Sequence, residues 1–186
     1  MKIESNDKML QRHIDKKNFV KFNRTFREQE ENISGFILKM STDFLLIQIE
    51  NDFLLDGYAI IRKDQFDSLR CNKHERTHKR ILKSEGIFDI DYGIDKDIDL
   101  TSWQTIFKNL KKFDFHVIVE CEDLEEPDFI IGPIKRVTKN STSIQFYDST
   151  GLLEDRPTLV NYNLITIVKF DDRYTKTYKK YLITSK

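Results

Sequence analysis

Residues 74–78 read His-Glu-Arg-Thr-His, which has the residue types and the spacing of a zinc hydrolase motif. In a helix, two histidines four residues apart bind Zn²⁺ on one face, and the glutamate activates a water molecule. Two features argue against this chemistry. Lys73, Lys79 and Arg80 surround the motif with cations that disfavour a divalent ion, and no downstream histidine or glutamate stands out as a third ligand. We therefore predict structural histidines, no catalytic residue, no metal and no cofactor, with zinc hydrolysis as the least favoured alternative.

Two other sets of reactive residues lack the spacing that their chemistry requires. An EF-hand loop that began at Asp95 would have Leu100 at its sixth position, where glycine is needed, and Ile106 at its twelfth, where glutamate is needed. The aspartates of this region are therefore predicted to form a solvated linker. The only cysteines, Cys71 and Cys121, lie far apart without metal-type spacing, which fits a reducing cytoplasm.

The composition is that of a globular chain. Apolar residues make up 39% of the sequence and aromatic residues 12%, with six glycines and three prolines, which argues against disorder and against a disulfide scaffold. The apolar runs are shorter than the roughly 18 residues of a membrane span, and residues 1–17 are too polar for a signal peptide. Basic and acidic residues number 31 each, so no global field favours nucleic acid or membrane. We expect a cytoplasmic protein with no membrane partner.

The chain contains an internal repeat. A shift of 97 residues superimposes identical residues in constant order: Val20 on Val117, Glu28 on Glu125, Ile33 on Ile130, Gly35 on Gly132, Ile37 on Ile134 and Gln48 on Gln145. Loop insertions move the shift to 99 and then to 100, where residues 77–82 align with residues 177–182. Such a run predicts a duplication. We divide the chain into a first repeat at residues 1–88, an acidic linker at 89–100 and a second repeat at 101–186.

The alignment also bears on the zinc motif. Tyr174 and Tyr178 stand in the second repeat where His74 and His78 stand in the first. Both pairs lie on a helix face with apolar residues one turn further on, so the pattern predicts a packing face that holds rings in both repeats.

Each repeat reads as a helix followed by five short strands and a charged helix. The first helix is clearest in the second repeat, where apolar residues at Trp103, Ile106, Phe107 and Leu110 form one stripe behind the N-cap candidates Thr101 and Ser102. The strands are predicted at residues 19–22, 33–40, 44–49, 58–61 and 66–69, and at residues 116–121, 130–137, 143–147, 158–160 and 164–170. The turns are too short for parallel crossovers, so the sheets should be antiparallel. An acidic connector follows the first strand of each repeat, at residues 28–31 and 122–128.

This order of elements is similar to that of an Sm-like barrel, with a glycine bend at Gly35 or Gly132 and Ile60-Ile61-Arg62 before the last strand. The whole chain resembles an uncharacterised bacterial family of tandem Sm-like proteins. The resemblance rests on residues 53–58 (Phe-Leu-Leu-Asp-Gly-Tyr), on the helix carrying Trp103 and on Ile131-Gly132. It implies an α+β, mainly β fold of two tandem five-stranded antiparallel barrels, each flanked by short helices, and implies no known activity.

The resemblance also raises RNA binding, because Sm-type proteins hold bases by stacking and edge hydrogen bonds. The usual Asp and Asn positions of the first motif are Ser41 and Leu45 in one repeat and Thr138 and Thr142 in the other, so the usual pocket is lost. An altered pocket remains as a hypothesis, with two cations from the first repeat and an amide and a stacking ring from the second. Its residues would be Arg62, Lys63, Asn161 and Tyr162. The alternative is that all four are rim residues of a barrel.

Local charge is uneven although the total is zero. Residues 62–85 have eight basic and four acidic side chains (net +4), and residues 156–186 have seven and two (net +5). Residues 86–131 have four basic and twelve acidic side chains (net −8). Basic helices on one face could contact phosphates through Lys79, Arg80, Lys179 and Lys180. The alternative is that these lysines and arginines are solvated faces of amphipathic helices.

These patterns together predict a non-catalytic interaction module. It would offer strand edges, barrel rims and a joining groove to a macromolecule, which is either a protein or single-stranded RNA. A protein scaffold without nucleic-acid binding is the main alternative. Because exposed strand edges tend to be paired, we expect either that the two copies pair with each other or that the protein forms a homo-oligomer.

Overall fold

The computed structural model describes residues 6–87, 94, 97–126 and 128–184. Its helices are α1 (Asn6–Asp15), α2 (Lys73–Ser84), α3 (Trp103–Lys112) and α4 (Arg173–Tyr178), with a 3-10 turn at Tyr162–Leu164. The first seven strands are β1 (Phe19–Phe26), β2 (Gln29–Met40), β3 (Phe44–Asn51), β4 (Leu54–Arg62), β5 (Ser68–Arg70), β6 (His116–Cys121) and β7 (Asp128–Val137). The others are β8 (Ser141–Ile144), β9 (Leu152–Leu153), β10 (Thr158–Asn161), β11 (Ile167–Phe170) and β12 (Ile183–Thr184). Helix α3 begins behind Ser102, whose hydroxyl accepts the N–H of Thr105, as the N-cap pattern predicted.

Ten of these strands form one antiparallel sheet in the order β10-β8-β7-β6-β11-β4-β3-β2-β1-β5, and β9 and β12 pair separately in parallel. The prediction of two closed Sm-like barrels is therefore wrong, because the sheet is large, continuous and open. The halves join where β11 pairs with β4, with Val168 opposite Ile60 and Phe170 opposite Tyr58. Backbone groups that would close each half on itself instead link the two halves. An alternating apolar pattern predicts strands but does not specify which strand lies beside which edge.

The two halves have the same strand order. In each half the last strand of the large sheet lies beside the first, and the second, third and fourth follow. Gly35 lies opposite Val20 in the first half, and Gly132 lies opposite Val117 in the second. A β-carbon at either glycine would lie 2.0 Å from a backbone carbonyl oxygen, that of Gln48 or of Gln145. Residues related by the 97-residue shift thus occupy corresponding places, while the duplication itself stays a prediction.

The junction strand β4 is buried on both faces. Tyr58 and Ile60 belong to a large apolar cluster that includes the buried face of α3. Ala59 and Ile61 belong to a second cluster, which also contains Ile167 of β11. Each half therefore contributes side chains to the cluster that lies mainly in the other. Among the described residues, no helix has both the length and the apolar character needed to cross a membrane.

Part of the predicted acidic linker is packed. Residues 89–93, 95 and 96, among them the aspartate that would begin a calcium loop, lie outside the described residues. Of the described part, Ile98 and Leu100 are buried in the large cluster. The Nζ of Lys39 lies 2.6 Å from Oδ1 of Asp97 and also donates to the carbonyl of Ile98. This segment is therefore attached to the first half as well as leading into α3.

Candidate functional site

An ion pair joins the two halves at one end of the sheet. Arg24, in β1, donates through its two terminal nitrogens to the two carboxylate oxygens of Glu122, just after β6. Its Nε donates to the carbonyl of Gln65, and a terminal nitrogen donates to the carbonyl of Thr166. The Arg24 side chain is only 2% exposed and that of Glu122 is 13% exposed. A planar guanidinium satisfied by a carboxylate and two carbonyls holds these segments in a fixed relation.

Beside this ion pair lies a cavity of about 470 Å³, which we call the junction groove. It is lined by the end of β1, the segment between β4 and β5, the turn after β6 and the segment leading into β11. The lining residues are Thr25, Phe26, Arg62, Asp64, Gln65, Asp67, Asp123, Leu124, Asn163, Leu164 and Thr166. Because both halves supply these residues, the groove exists only in the joined sheet.

The groove carries a negative charge. Arg62 is bound to Asp64 through two hydrogen bonds of 2.6 and 2.9 Å, and this contact lowers the pKa of Asp64 and raises that of Arg62. The remaining charged lining residues are Asp67 and Asp123, both exposed. Neither carboxylate has a hydrogen-bond or ion-pair partner within the part of the chain that the structure describes. With Arg62 neutralised by Asp64, two uncompensated carboxylates remain.

The two acidic connectors meet beside the groove, although residues 29–31 of the first are part of β2 and do not form a separate connector. The first, residues 28–31, follows Arg27, whose Nε donates to the carbonyl of Asp123 at 3.0 Å. Asp123 lies in the second connector, residues 122–128, so the two turns are neighbours. The first connector has three carboxylates and the second has five. The structure thus brings the two predicted connectors into contact, and the second contributes Asp123 and Leu124 to the lining of the groove.

The four residues of the altered RNA pocket are mostly engaged elsewhere. Lys63 donates to Asp7 of α1 at 2.8 Å, and Arg62 is held by Asp64 in the junction groove. The Tyr162 ring stacks on Phe107 of α3 with 5.7 Å between centroids, and its hydroxyl donates to the carbonyl of Thr138. Burial raises the pKa of Tyr162 to about 12. Asn161, at the end of β10, is exposed.

The predicted phosphate contacts on the helices fall into two kinds. Lys79 of α2 donates to the carbonyl of Lys16, and Lys179, which follows α4, donates to the carbonyl of Asp114 and lies 2.5 Å from its Oδ2. Each of these lysines thus docks its helix on the segment before β1 or β6. Burial is the main cause that lowers the pKa of Lys79, and the Lys179 ammonium lowers that of Asp114. The other two, Arg80 and Lys180, are exposed.

The zinc-like motif has structural roles in α2. The carboxylate of Glu75, which is 3% exposed, accepts the N–H of Asn72 and a hydrogen bond from Arg70, and it completes a capping box. The His78 ring lies between Phe19 and Phe53, with centroid distances of 4.5 and 4.4 Å. His74 is exposed, so the predicted packing face includes one of the two histidines. No group of three or more His, Cys, Asp or Glu among the described residues is placed to hold a metal ion.

His78 also approaches a buried carboxylate. Its Nε2 lies 2.9 Å from Oε1 of Glu50, although this nitrogen has no partner in hydrogen-bond geometry. The same oxygen accepts the N–H of Phe53. The ring is therefore held by stacking, with its Nε2 directed at the Glu50 carboxylate.

The sequence analysis missed the residues that build the junction. Arg24 continues the buried alternation of Phe22 in a strand that we had ended at residue 22. An arginine at an inward position of a strand requires a carboxylate partner, and this was the available signal. The unpaired carboxylates Asp67 and Asp123 had no signal of their own, because their role depends on which turns lie side by side.

Two strand edges lie at the ends of the sheet. Among the described strands, β10 pairs only with β8, and β5 pairs only with β1. On β10 the Leu159 side chain is 61% exposed while Val160 is buried. An outermost strand leaves alternate backbone N–H and C=O groups free to pair with another chain. Within the protein, the strands that correspond to them, β4 and β11, satisfy these groups by pairing with each other.

Comparison of the chain with protein-family models, with curated proteins and with solved structures found no match. Function is therefore inferred from the residues and their geometry.

Proposed function

We propose that the protein is a non-catalytic protein-interaction module that pairs partner strands with the open edges of its sheet. The observation that carries this proposal is the pairing of β4 with β11. It joins the fourth strand of one half to the last strand of the other half. The strands left at the two edges are the fourth strand of the second half, β10, and the last strand of the first half, β5. β10 is the counterpart of β4, and β5 is the counterpart of β11. The two edge strands are therefore the counterparts of the two strands that pair at the junction.

A second copy of the chain is the simplest partner for these edges. β10 of one molecule would pair with β5 of the next and repeat the internal junction. Such a head-to-tail contact uses two different surfaces, so it closes into a ring or continues as a filament according to the rotation between copies. An unrelated protein that offers an extended segment would use the same backbone groups.

A protein partner is favoured over single-stranded RNA because several of the basic residues are already paired with carboxylates. Arg62, Lys63 and Lys179 are each paired with a carboxylate, and the Tyr162 ring is stacked inside the protein. Phosphate contacts would have to displace these pairs, and the junction groove beside Arg62 is acidic. A cytoplasmic location is part of the proposal, supported by the free thiols of Cys71 and Cys121.

The test is the molar mass in solution as a function of protein concentration, measured by size exclusion with light scattering. We expect mass to rise with concentration in the wild-type protein. Leu159→Lys places a charge on the edge strand and should reduce association. Phe129→Lys is the matched control, because Phe129 is 58% exposed but lies in β7 opposite Glu120 of β6, away from the two outermost strands.

Two outcomes would overturn self-pairing. One is a monomer at every concentration, and the other is association that both lysine variants weaken equally. A parallel titration into labelled random single-stranded RNA tests the alternative. Binding that weakens with salt and falls in Arg62→Ala or Lys79→Ala would replace the proposal with a nucleic-acid function.

A further inference from the structure

We infer that the junction groove binds an extended segment of a partner protein that carries lysine or arginine side chains. None of the lining residues lies in the edge strands β5 and β10, although Asp67 directly precedes β5, and the inference is tested separately from the strand-pairing proposal. The groove is the place where side chains of both halves surround a common cavity, and its volume of about 470 Å³ lies in the range typical of ligand sites.

The negative charge of the groove favours a partner with positively charged side chains. Asp67 and Asp123 are unpaired among the described residues, and Arg62 is neutralised by Asp64. Of two cations beside the groove, Arg24 is paired with the Glu122 carboxylate, whereas Arg27 donates to the backbone carbonyl of Asp123 and keeps its charge. The carboxylates of the two acidic connectors add to the same field. An acidic concave surface attracts basic groups and repels phosphate.

The apolar lining selects the kind of basic group. Phe26, Leu124 and Leu164 line the same cavity as the two free carboxylates. Lysine and arginine have long apolar stems that pack against such side chains while the charged end reaches a carboxylate. Small inorganic cations gain nothing from the apolar residues. A chain segment with more than one such side chain can contact both Asp67 and Asp123 at once.

The experiment is a selection of random displayed peptides against the full-length protein, followed by binding measurements with the selected sequences. We expect the selected peptides to be enriched in lysine and arginine and to lose affinity as salt is raised. The double variant Asp67→Asn/Asp123→Asn should weaken their binding by about tenfold or more. Glu85→Gln, which removes an exposed carboxylate at the end of α2, is the control and should leave affinity unchanged.

Several results would overturn the inference. They are a selection that yields no binder, selected peptides that are neutral or acidic, and basic peptides that bind the double variant as tightly as the wild type. Full competition by free spermidine with loss of sequence preference would replace the peptide with a polyamine. Because Asp67 and Asp123 are exposed, both variants should fold, and an unchanged unfolding midpoint verifies this. A strand-edge variant such as Leu159→Lys should bind the selected peptides normally, which separates this site from self-association.

Discussion

The buried guanidinium of Arg24 and the largely buried carboxylate of Glu122 form a bidentate ion pair between the first half of the chain and the second. The residues lie 98 positions apart, and neither repeats at its counterpart, where Cys121 and Thr25 stand. The pair is therefore a feature of the joined molecule, not of either half. It also anchors the carbonyls of Gln65 and Thr166, which border the junction groove.

Arg24→Met should reduce the free energy of unfolding by about 3–5 kcal/mol, because it leaves the carboxylate of Glu122 buried without its partner. Urea unfolding followed by tryptophan fluorescence measures the loss, with Trp103 as the only tryptophan. Arg24→Met combined with Glu122→Leu should recover much of the stability, since no unpaired charge remains. The exposed ion pair between Arg62 and Asp64 is the comparison. Arg62→Ala should lower the free energy of unfolding by less than about 1 kcal/mol. Equal losses in Arg24→Met and Arg62→Ala would contradict the buried role.

Gly35→Ala and Gly132→Ala should each cost about 3 kcal/mol or more, because the new methyl group would lie 2.0 Å from a carbonyl oxygen of the neighbouring strand. Gly86→Ala is the control. Apart from its chain neighbours, no described residue has an atom within 4 Å of its β-carbon position, and its φ of +73° alone should cost about 1 kcal/mol. Chemical denaturation of the three variants tests this, and a tolerated alanine at either strand glycine would refute the close approach described above.

Stability should fall as the pH is lowered from 7 to 4, partly through His116. Burial, together with Lys179, lowers the pKa of this histidine from 6.5 to about 4, against the opposing effect of Asp114. Over this window the unfolded chain takes up a proton that the folded protein does not bind, so acid favours unfolding. This histidine lowers the free energy of unfolding by at most about 3 kcal/mol. The loss is complete below about pH 4 and disappears above the pKa of the histidine in the unfolded chain.

His116→Phe isolates this contribution. The corresponding residue of the first half is Phe19, and the buried Nδ1 of His116 has no hydrogen-bond partner among the described residues, so the variant should fold. Carboxylates such as Asp114, whose pKa is lowered in the folded state, add an acid loss of the same sign in both proteins. The difference between wild type and variant across pH 4–7 therefore reports on His116, and parallel curves would disprove its role.

Zinc should not stabilise the protein. His74 is exposed, His78 is stacked between two rings, and Glu75 is used by the helix cap. A tight site would add about 4 kcal/mol at a thousandfold excess over its dissociation constant, which thermal unfolding detects readily. We expect His74→Ala to resemble wild type, and His78→Ala to lose about 1–3 kcal/mol through its two stacking contacts. A zinc-dependent rise of Tm that disappears in His74→Ala would establish a metal site.

The local elements were predictable because they depend on residues close together in the sequence. The stripe from Trp103 to Leu110 and the cap at Ser102 specified α3. Alternation and polar turns located most strands to within a few residues. For the candidate site the outcome was mixed. Arg62 was singled out and does line the junction groove, but its predicted companions Lys63, Asn161 and Tyr162 do not. A pocket depends on which turns meet, and neighbouring residues in sequence do not determine that.

The amino-acid sequence by itself determined the strands, their alternation, the places where glycine is required and the two acidic connectors. Only the tertiary structure decided that β4 pairs with β11, so that one open sheet replaces two closed barrels. The physical reason is that backbone hydrogen bonds between strands are the same for every residue type. The choice of partner edge depends on the burial of Tyr58, Ala59, Ile60 and Ile61 on both faces of one strand, and on the pairing of Arg24 with Glu122 across the junction.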